Sequence, residues 1–133
     1  MTLKVILDSN FLLVPSQFRL DIFEELSRLL NQNYHPVILS PTHEELVKLS
    51  EKGSPRMRQR ALMALSLAEK CQTVQVEQKA HESHDDVIIC MAKDLKCLVA
   101  TNDRELRERL RNINIPVIYL REKSRLEMEG LLP

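Results

Sequence analysis

Apolar positions along this chain fall into two kinds of run that take turns. Short, nearly unbroken apolar stretches, such as LKVIL at 3–7, VIL at 37–39 and CLVAT at 97–101, have the length and composition of buried β-strands. Between them lie longer segments in which apolar residues return every three or four positions, the spacing of a helix with one buried face. Phe18, Ile22, Leu26, Leu29 and Leu30 predict a helix over 18–30. Thr42, with Glu45 three residues on, reads as a capping box opening another. Gly53 ends that helix, and Ser54-Pro55 starts a third, which runs to about residue 70 on Leu62, Leu65 and Ala68. TVQV at 73–76 alternates as a strand does. Ser83 with Asp86 forms a second capping box, ahead of Val87, Ile88, Met91 and Leu95 on one face. A short charged helix follows Asp103, and VIYL at 117–120 is a fifth strand.

Strand and helix in alternation predict an α/β fold, with three α/β/α layers around a central parallel sheet of four to five strands. We place one domain over residues 1–121 and read 122–133 as a charged C-terminal tail, helical or frayed.

Composition narrows the chemistry. Only two glycines occur, Gly53 and Gly130, so there is neither a GxGxxG turn nor a Walker A loop to cradle phosphates. Nineteen basic residues balance nineteen acidic ones, so net charge gives no argument for nucleic acid and local patches must carry any such case. The N-terminus lacks the pattern of a secretory leader, and no apolar stretch is long enough to span a membrane. Cys71, Cys90 and Cys97 are odd in number and lack CxxC spacing, which reads as reduced, core-packed thiols in a cytoplasmic protein without membrane attachment.

The chemistry-bearing pattern is acidic. Open α/β sheets bind ligands at the carboxyl ends of their strands. Asp8 follows the first strand, Glu45 lies in the first turn after the second, Asp85 and Asp86 open the helix after the third, and Asp103 follows the fourth. Singly, Glu45, Asp86 and Asp103 are accounted for as helix-capping acids. Asp8 is not, because an acid at the end of a buried strand is costly unless paired or coordinated. Converging carboxylates repel one another, and a divalent cation removes that cost. Such a site suits phosphodiester hydrolysis, in which the ion activates a water and stabilises developing charge. A zinc site through His81-x-x-His84-Asp85 is an alternative; solvated histidines ahead of a helix are the simpler reading.

The segments ILDSNFLL, HEELVKL, HDDVII and VATNDRELRERL, in this order and strand context, resemble those of PIN-domain nucleases, and the resemblance reaches about Arg121. That family includes toxin ribonucleases of toxin–antitoxin operons and endonucleases that trim ribosomal RNA precursors; the ELVKL and ATNDREL forms resemble the archaeal and RNA-processing branch more closely. The resemblance implies a Mg²⁺- or Mn²⁺-dependent endoribonuclease whose catalytic, metal-binding acids are Asp8, Glu45, Asp85 and Asp103. It also implies support from Asn10 and Thr101, with Asp86 as cap partner or outer ligand. Single-stranded RNA is the implied substrate. A homodimer and an antitoxin or ribosome-assembly protein are the implied partners, the dimer resting also on the apolar run Leu12-Leu13-Val14. Among the arginines, Arg104 beside Asp103 is the expected phosphate contact, ahead of Arg107, Arg109 and Arg111 and of Arg56, Arg58 and Arg60. Two alternatives stand beside this reading. One is a PIN-like module that binds RNA without cutting it. The other is an aspartyl-phosphate phosphatase of the haloacid dehalogenase type, disfavoured because Asn10 stands where that family needs a second Asp.

Overall fold

Seven helices and six strands make up the described part of the chain, residues 2–132 of a computed structural model. The strands are β1 (Leu3–Leu7), β2 (Tyr34–Leu39), β3 (Gln72–Val74), β4 (Leu98–Ala100), β5 (Val117–Arg121) and β6 (Arg125–Glu129). They form one sheet in the order β3-β2-β1-β4-β5-β6, parallel throughout except for β6, which pairs antiparallel with β5. Pro36 lies inside β2, one residue before pairing with β3 begins at Val37, where β2 is still an edge and a missing N–H is tolerated.

Side chains alternate between two apolar layers, as the period of a strand requires. Val5, Leu7, Ile38, Leu98, Ala100 and Ile118 face one layer, while Ile6, Val37, Leu39, Val99 and Val117 face the other. The first layer is covered by α1 (Ser9–Leu12), α2 (Val14–Phe18), α3 (Ile22–Leu30), α4 (Ser40–Lys52) and α5 (Pro55–Ala68). The second is covered by α6 (His84–Leu95) and α7 (Arg104–Asn112). The three-layer α/β/α arrangement is therefore as the alternation of runs implies. Among the described residues, no helix is long and apolar enough to cross a membrane.

Several local expectations change. The helix expected over 18–30 is two helices: α2 ends at Arg19 in a left-handed conformation, and α3 begins at an Asp21 cap that accepts a hydrogen bond from the Glu24 N–H. The run Leu12-Leu13-Val14 belongs to α1 and α2, with Leu12 and Val14 each 1% exposed. Two of its three residues are covered by their own chain, and only Leu13 is partly exposed, so the run offers little surface to a second copy. Thr42 caps nothing. The chain passes from Leu39 directly into α4 through Ser40-Pro41, Thr42 is buried, and Glu45 is left free of any capping box.

Further along, α5 buries Ala61, Ala64 and Ala68, which leaves Leu62 outside the core. Gly53 separates α4 from α5 because a Cβ there would stand 2.7 Å from the Leu49 carbonyl oxygen. Of the three cysteines only Cys97 is buried; Cys71 is half-buried, its thiol pushed up to about 12 by burial, and Cys90 is exposed, against the expectation of core packing for all three. Finally, of the charged tail expected over 122–133, Pro133 lies outside the described residues, and residues 122–132 are neither helical nor frayed. They hold β6, which places Leu126 in the first core layer.

Two substitutions test this packing. Leu126→Ala should lower the unfolding free energy by about 2–5 kcal/mol, as for other buried leucines. Leu62→Ala, at 58% exposure, should stay within about 0.5 kcal/mol of the parent. Urea titration of the two variants measures both, and a large loss at Leu62 would contradict the face assigned to α5.

Candidate active site

With β1 flanked by β2 on one side and β4 on the other, the chain reverses its direction of travel across the sheet at the β1–β4 boundary. Such a switch point opens a crevice at the strands' carboxyl ends. Asp8 follows β1 and Thr101-Asn102-Asp103 follow β4, so the two loops meet there. The Asp8 N–H continues the ladder by donating to the Ala100 carbonyl at 3.0 Å, and the Thr101 N–H donates to the Ile118 carbonyl at 2.9 Å.

Asp8 is 8% exposed, and both of its oxygens are held. The Ser9 N–H donates to Oδ1 at 2.8 Å, which also caps α1; the Thr101 hydroxyl donates to Oδ2 at 2.8 Å; and Asn10 Nδ2 donates to Oδ2 at 3.1 Å. A hydroxyl has one proton, so Thr101 Oγ1, once it donates to Asp8, is an acceptor for the Asp103 N–H at 3.1 Å. The amide of Asn10 is oriented by its other end, where Oδ1 accepts the Asn102 N–H at 2.8 Å. Asn102 in turn accepts the Leu120 N–H at 2.8 Å, which ties the loop to β5. Asn10 and Thr101 thus hold Asp8 in place. Asn102 is a further fastening residue, with no signal in the sequence beyond its place next to Asp103.

The other acids surround this centre. Asp103 caps α7 by accepting the Leu106 N–H at 3.1 Å on Oδ1. Glu45, freed from capping, accepts the Ser9 hydroxyl at 3.3 Å and lies 2.7 Å from His84 Nδ1. Ser9 and His84 are contacts that sequence patterns did not reveal. His84 opens α6, half-buried against Glu45 and not merely solvated. His81 is exposed in the preceding turn.

Burial pushes the Asp8 carboxyl above its ordinary value of 3.8, and the charges of Glu45 and Asp103 add to the rise despite the Thr101 and Ser9 hydrogen bonds. Asp85 is raised in the same direction, first by burial and then by Asp103 and Asp8. Asp8 therefore lies within electrostatic reach of Glu45, Asp85 and Asp103. Asp86 does not join them. It completes the capping box with Ser83 and lies 2.8 Å from Arg109, whose guanidinium holds its carboxyl below the usual range.

Among the described residues, no group of three or more His, Cys, Asp or Glu side chains is placed to hold a metal ion together. Mg²⁺ needs only one or two direct carboxylates and keeps several waters, so an open cluster of carboxylates, with its one nearby imidazole, His84, engaged by Glu45, fits such an ion better than it fits zinc. Arg104, the expected phosphate contact, is 85% exposed on its side chain and pairs with Glu108 at 3.4 Å.

The raised Asp8 carboxyl has a consequence for stability. A carboxyl whose folded-state value is raised favours the fold while protonated, and that contribution is lost as pH climbs from 3.8 through the higher folded-state value. Asp8→Asn cannot ionise and lacks this loss. In metal-free buffer the melting temperature of Asp8→Asn should gain on the parent as the pH rises above 3.8. Added Mn²⁺ should then raise the parent more than the variant. Parallel pH profiles in thermal unfolding would refute the assignment of the penalty to Asp8.

Comparison with known proteins agrees with this geometry. The family described as PIN like domain matches residues 5–123. Ribonuclease VapC4 of Methanocaldococcus jannaschii is 31% identical over 129 residues, covering 97% of this chain and 98% of that protein. The rRNA-processing protein fcf1 of Schizosaccharomyces pombe is 32% identical over 126 residues, covering 92% of this chain and 62% of that protein's length. Among solved structures, the PIN domain endonuclease Utp24 superposes with a TM-score of 0.80 at 32% identity, covering 97% of this chain and 92% of that one. A match running through both the Asp8 and the Asp103 loops, on a fold this similar, identifies the chain as a member of the PIN-like domain family.

Proposed function

We propose that this protein is a divalent-metal-dependent endoribonuclease that hydrolyses internal phosphodiester bonds of single-stranded RNA. The observation that carries this reading is Asp8: a carboxylate buried at the switch point, held by three donors, and surrounded by acids that raise its proton affinity. A protein keeps such an arrangement, at a cost in its own stability, where the cluster does work on a ligand. The names of the relatives, a ribonuclease and an rRNA-processing protein, support RNA as the substrate class.

In this reading Asp8 and Asp103 hold Mg²⁺ or Mn²⁺ directly or through water, with Glu45 and Asp85 completing the acidic rim. When bound, the ion supplies a water of lowered pKa and offsets charge on the phosphodiester. The chain's own part is orientation. Thr101 and Asn10 fix both the carboxylate of Asp8 and its distance from the Asp103 loop. Glu45, steadied by Ser9 and His84, presents a carboxylate from the opposite wall. Asp85 faces the cluster from the first turn of α6, while Asp86 secures the start of that helix. An antitoxin or a ribosome-assembly protein are the two partner classes this function would admit.

Purified protein with Mn²⁺ should cut a labelled single-stranded RNA internally, and EDTA should stop it. Asp8→Asn should lower the rate by about 10²-fold or more, the scale of losing one preorganised electrostatic contributor. Asp85→Asn should also lose most of the rate, whereas Asp86→Asn should keep it and melt earlier. Equal cleavage by the parent and Asp8→Asn would expose a contaminant and end the nuclease reading. Binding without cleavage by either would leave an RNA-binding module in its place.

A further inference from the structure

Arginines occur on two faces of this protein, and their surroundings differ. Along α7 and the adjoining strands most are already matched: Arg104 with Glu108 at 3.4 Å, Arg107 with Glu129 at 3.7 Å, Arg109 with Asp86 at 2.8 Å and Arg121 with Glu127 at 3.4 Å, while Arg111 donates to the Ile115 carbonyl at 3.2 Å. Arg107 is further occupied by stacking on the Tyr119 ring at 4.1 Å.

A groove of about 640 Å³ between α2 and α5 is different. Arg19, Arg56 and Arg60 line it with Ser16 and Gln59, and no acidic residue is among its lining. Among the described residues none of these three arginines forms an ion pair, although the chain as a whole carries equal numbers of acids and bases. Three uncompensated guanidiniums along one groove repel each other, and a polyanion relieves that repulsion while gaining charge-assisted hydrogen bonds. Pro15 and the half-exposed Met63 give the groove an apolar edge against which unstacked bases can rest.

The groove is also placed to act with the acidic cleft. One wall, α2, is reached from Asp8 through α1: α1 opens at the Asp8 cap and α2 follows it directly after Leu13, so Ser16 of the groove lies on the second short helix past the acidic cleft.

We propose that the α2–α5 groove is the phosphate-binding track of this protein, gripping the RNA backbone through Arg19, Arg56 and Arg60 while the Asp8 cleft acts on the same strand. It rests on the endoribonuclease reading for the identity of the polyanion, and it assigns the grip to α5 and not to Arg104. Contacts of this kind hold any sequence, so the track sets the length of RNA engaged and leaves sequence choice to other features.

The test is equilibrium binding of a fluorescent single-stranded RNA of about twelve nucleotides, in EDTA so that nothing is cut, across a salt series. Each phosphate contact on a single strand adds about 0.7 to the slope of log affinity against log salt. Arg56→Gln with Arg60→Gln should therefore flatten the slope by about 1.4, so that from 50 to 200 mM salt the parent loses about sevenfold more affinity than the double variant. Arg58→Gln, on the same helix but outside the groove, and Arg104→Gln should leave the slope unchanged. RNA bound with the same slope by parent and double variant overturns the track while leaving the nuclease reading intact. If a poly-glutamate peptide alone loses binding in the double variant, the groove belongs to an acidic protein. A parent that neither binds nor cuts RNA removes the nuclease reading and the track together.

Discussion

The carboxylate of Asp8 is held between two opposing demands. Burial at the end of β1 favours its protonated form, as do the neighbouring acids, while the Thr101 hydroxyl and the Ser9 N–H favour the anion. The first demand prevails in the absence of a cation, and the hydrogen bonds then serve to hold geometry. Thr101, Asn10 and Asn102 make one connected set joining β1, β4 and β5, so the position of the carboxylate and the alignment of three strands are a single arrangement. Neutralising Asp8 would relax this cluster and remove the carboxylate on which the proposed function rests.

Most of the acids here are also structural. Asp8 accepts the first N–H of α1, Asp103 caps α7, and Asp86 completes a capping box. A cap of this kind uses one carboxylate oxygen, so Asp103 can secure a helix start and still present its other oxygen to the cleft. Asp86 differs because its carboxylate is committed twice, to Ser83 and to Arg109. The adjacent pair Asp85-Asp86 is divided by helix geometry: neighbours differ by about 100° around the axis, so one faces the cluster while the other faces α7.

Net neutrality conceals a division of charge. The acids gather at the switch point, and many of the arginines are consumed by glutamates and by Asp86 on the α7 side. The arginines of the α2–α5 groove are left unmatched. Electrostatic specificity in this protein is accordingly a matter of local pairing, which the overall balance of nineteen against nineteen does not report.

The three-layer fold and the four acids at one sheet edge were legible in the sequence because both follow from local periodicity. Short, nearly unbroken apolar runs of this length are consistent with strands buried on both faces. Asp8, Asp85 and Asp103 stand directly after a strand or at the start of the helix that follows, with Glu45 one turn further along α4. What escaped notice depended on contacts between distant segments. The helices α1 and α2 are too short to show a period, and Leu12 and Val14 look exposed until α5 covers them. The hairpin into β6 turns on Glu122 and Lys123, both at positive φ, without the Asn-Gly signature such turns usually carry. Thr42 satisfies a capping-box pattern that tertiary packing overrides by starting α4 three residues earlier, with Leu39 in the cap position. Sequence alone determined which residues could form an acidic site, since spacing and strand endings are properties of the chain. Which acid turned into it, which histidine joined Glu45 and which arginines stayed unpaired were decided only by folding, because each depends on a partner scores of residues away or on another element.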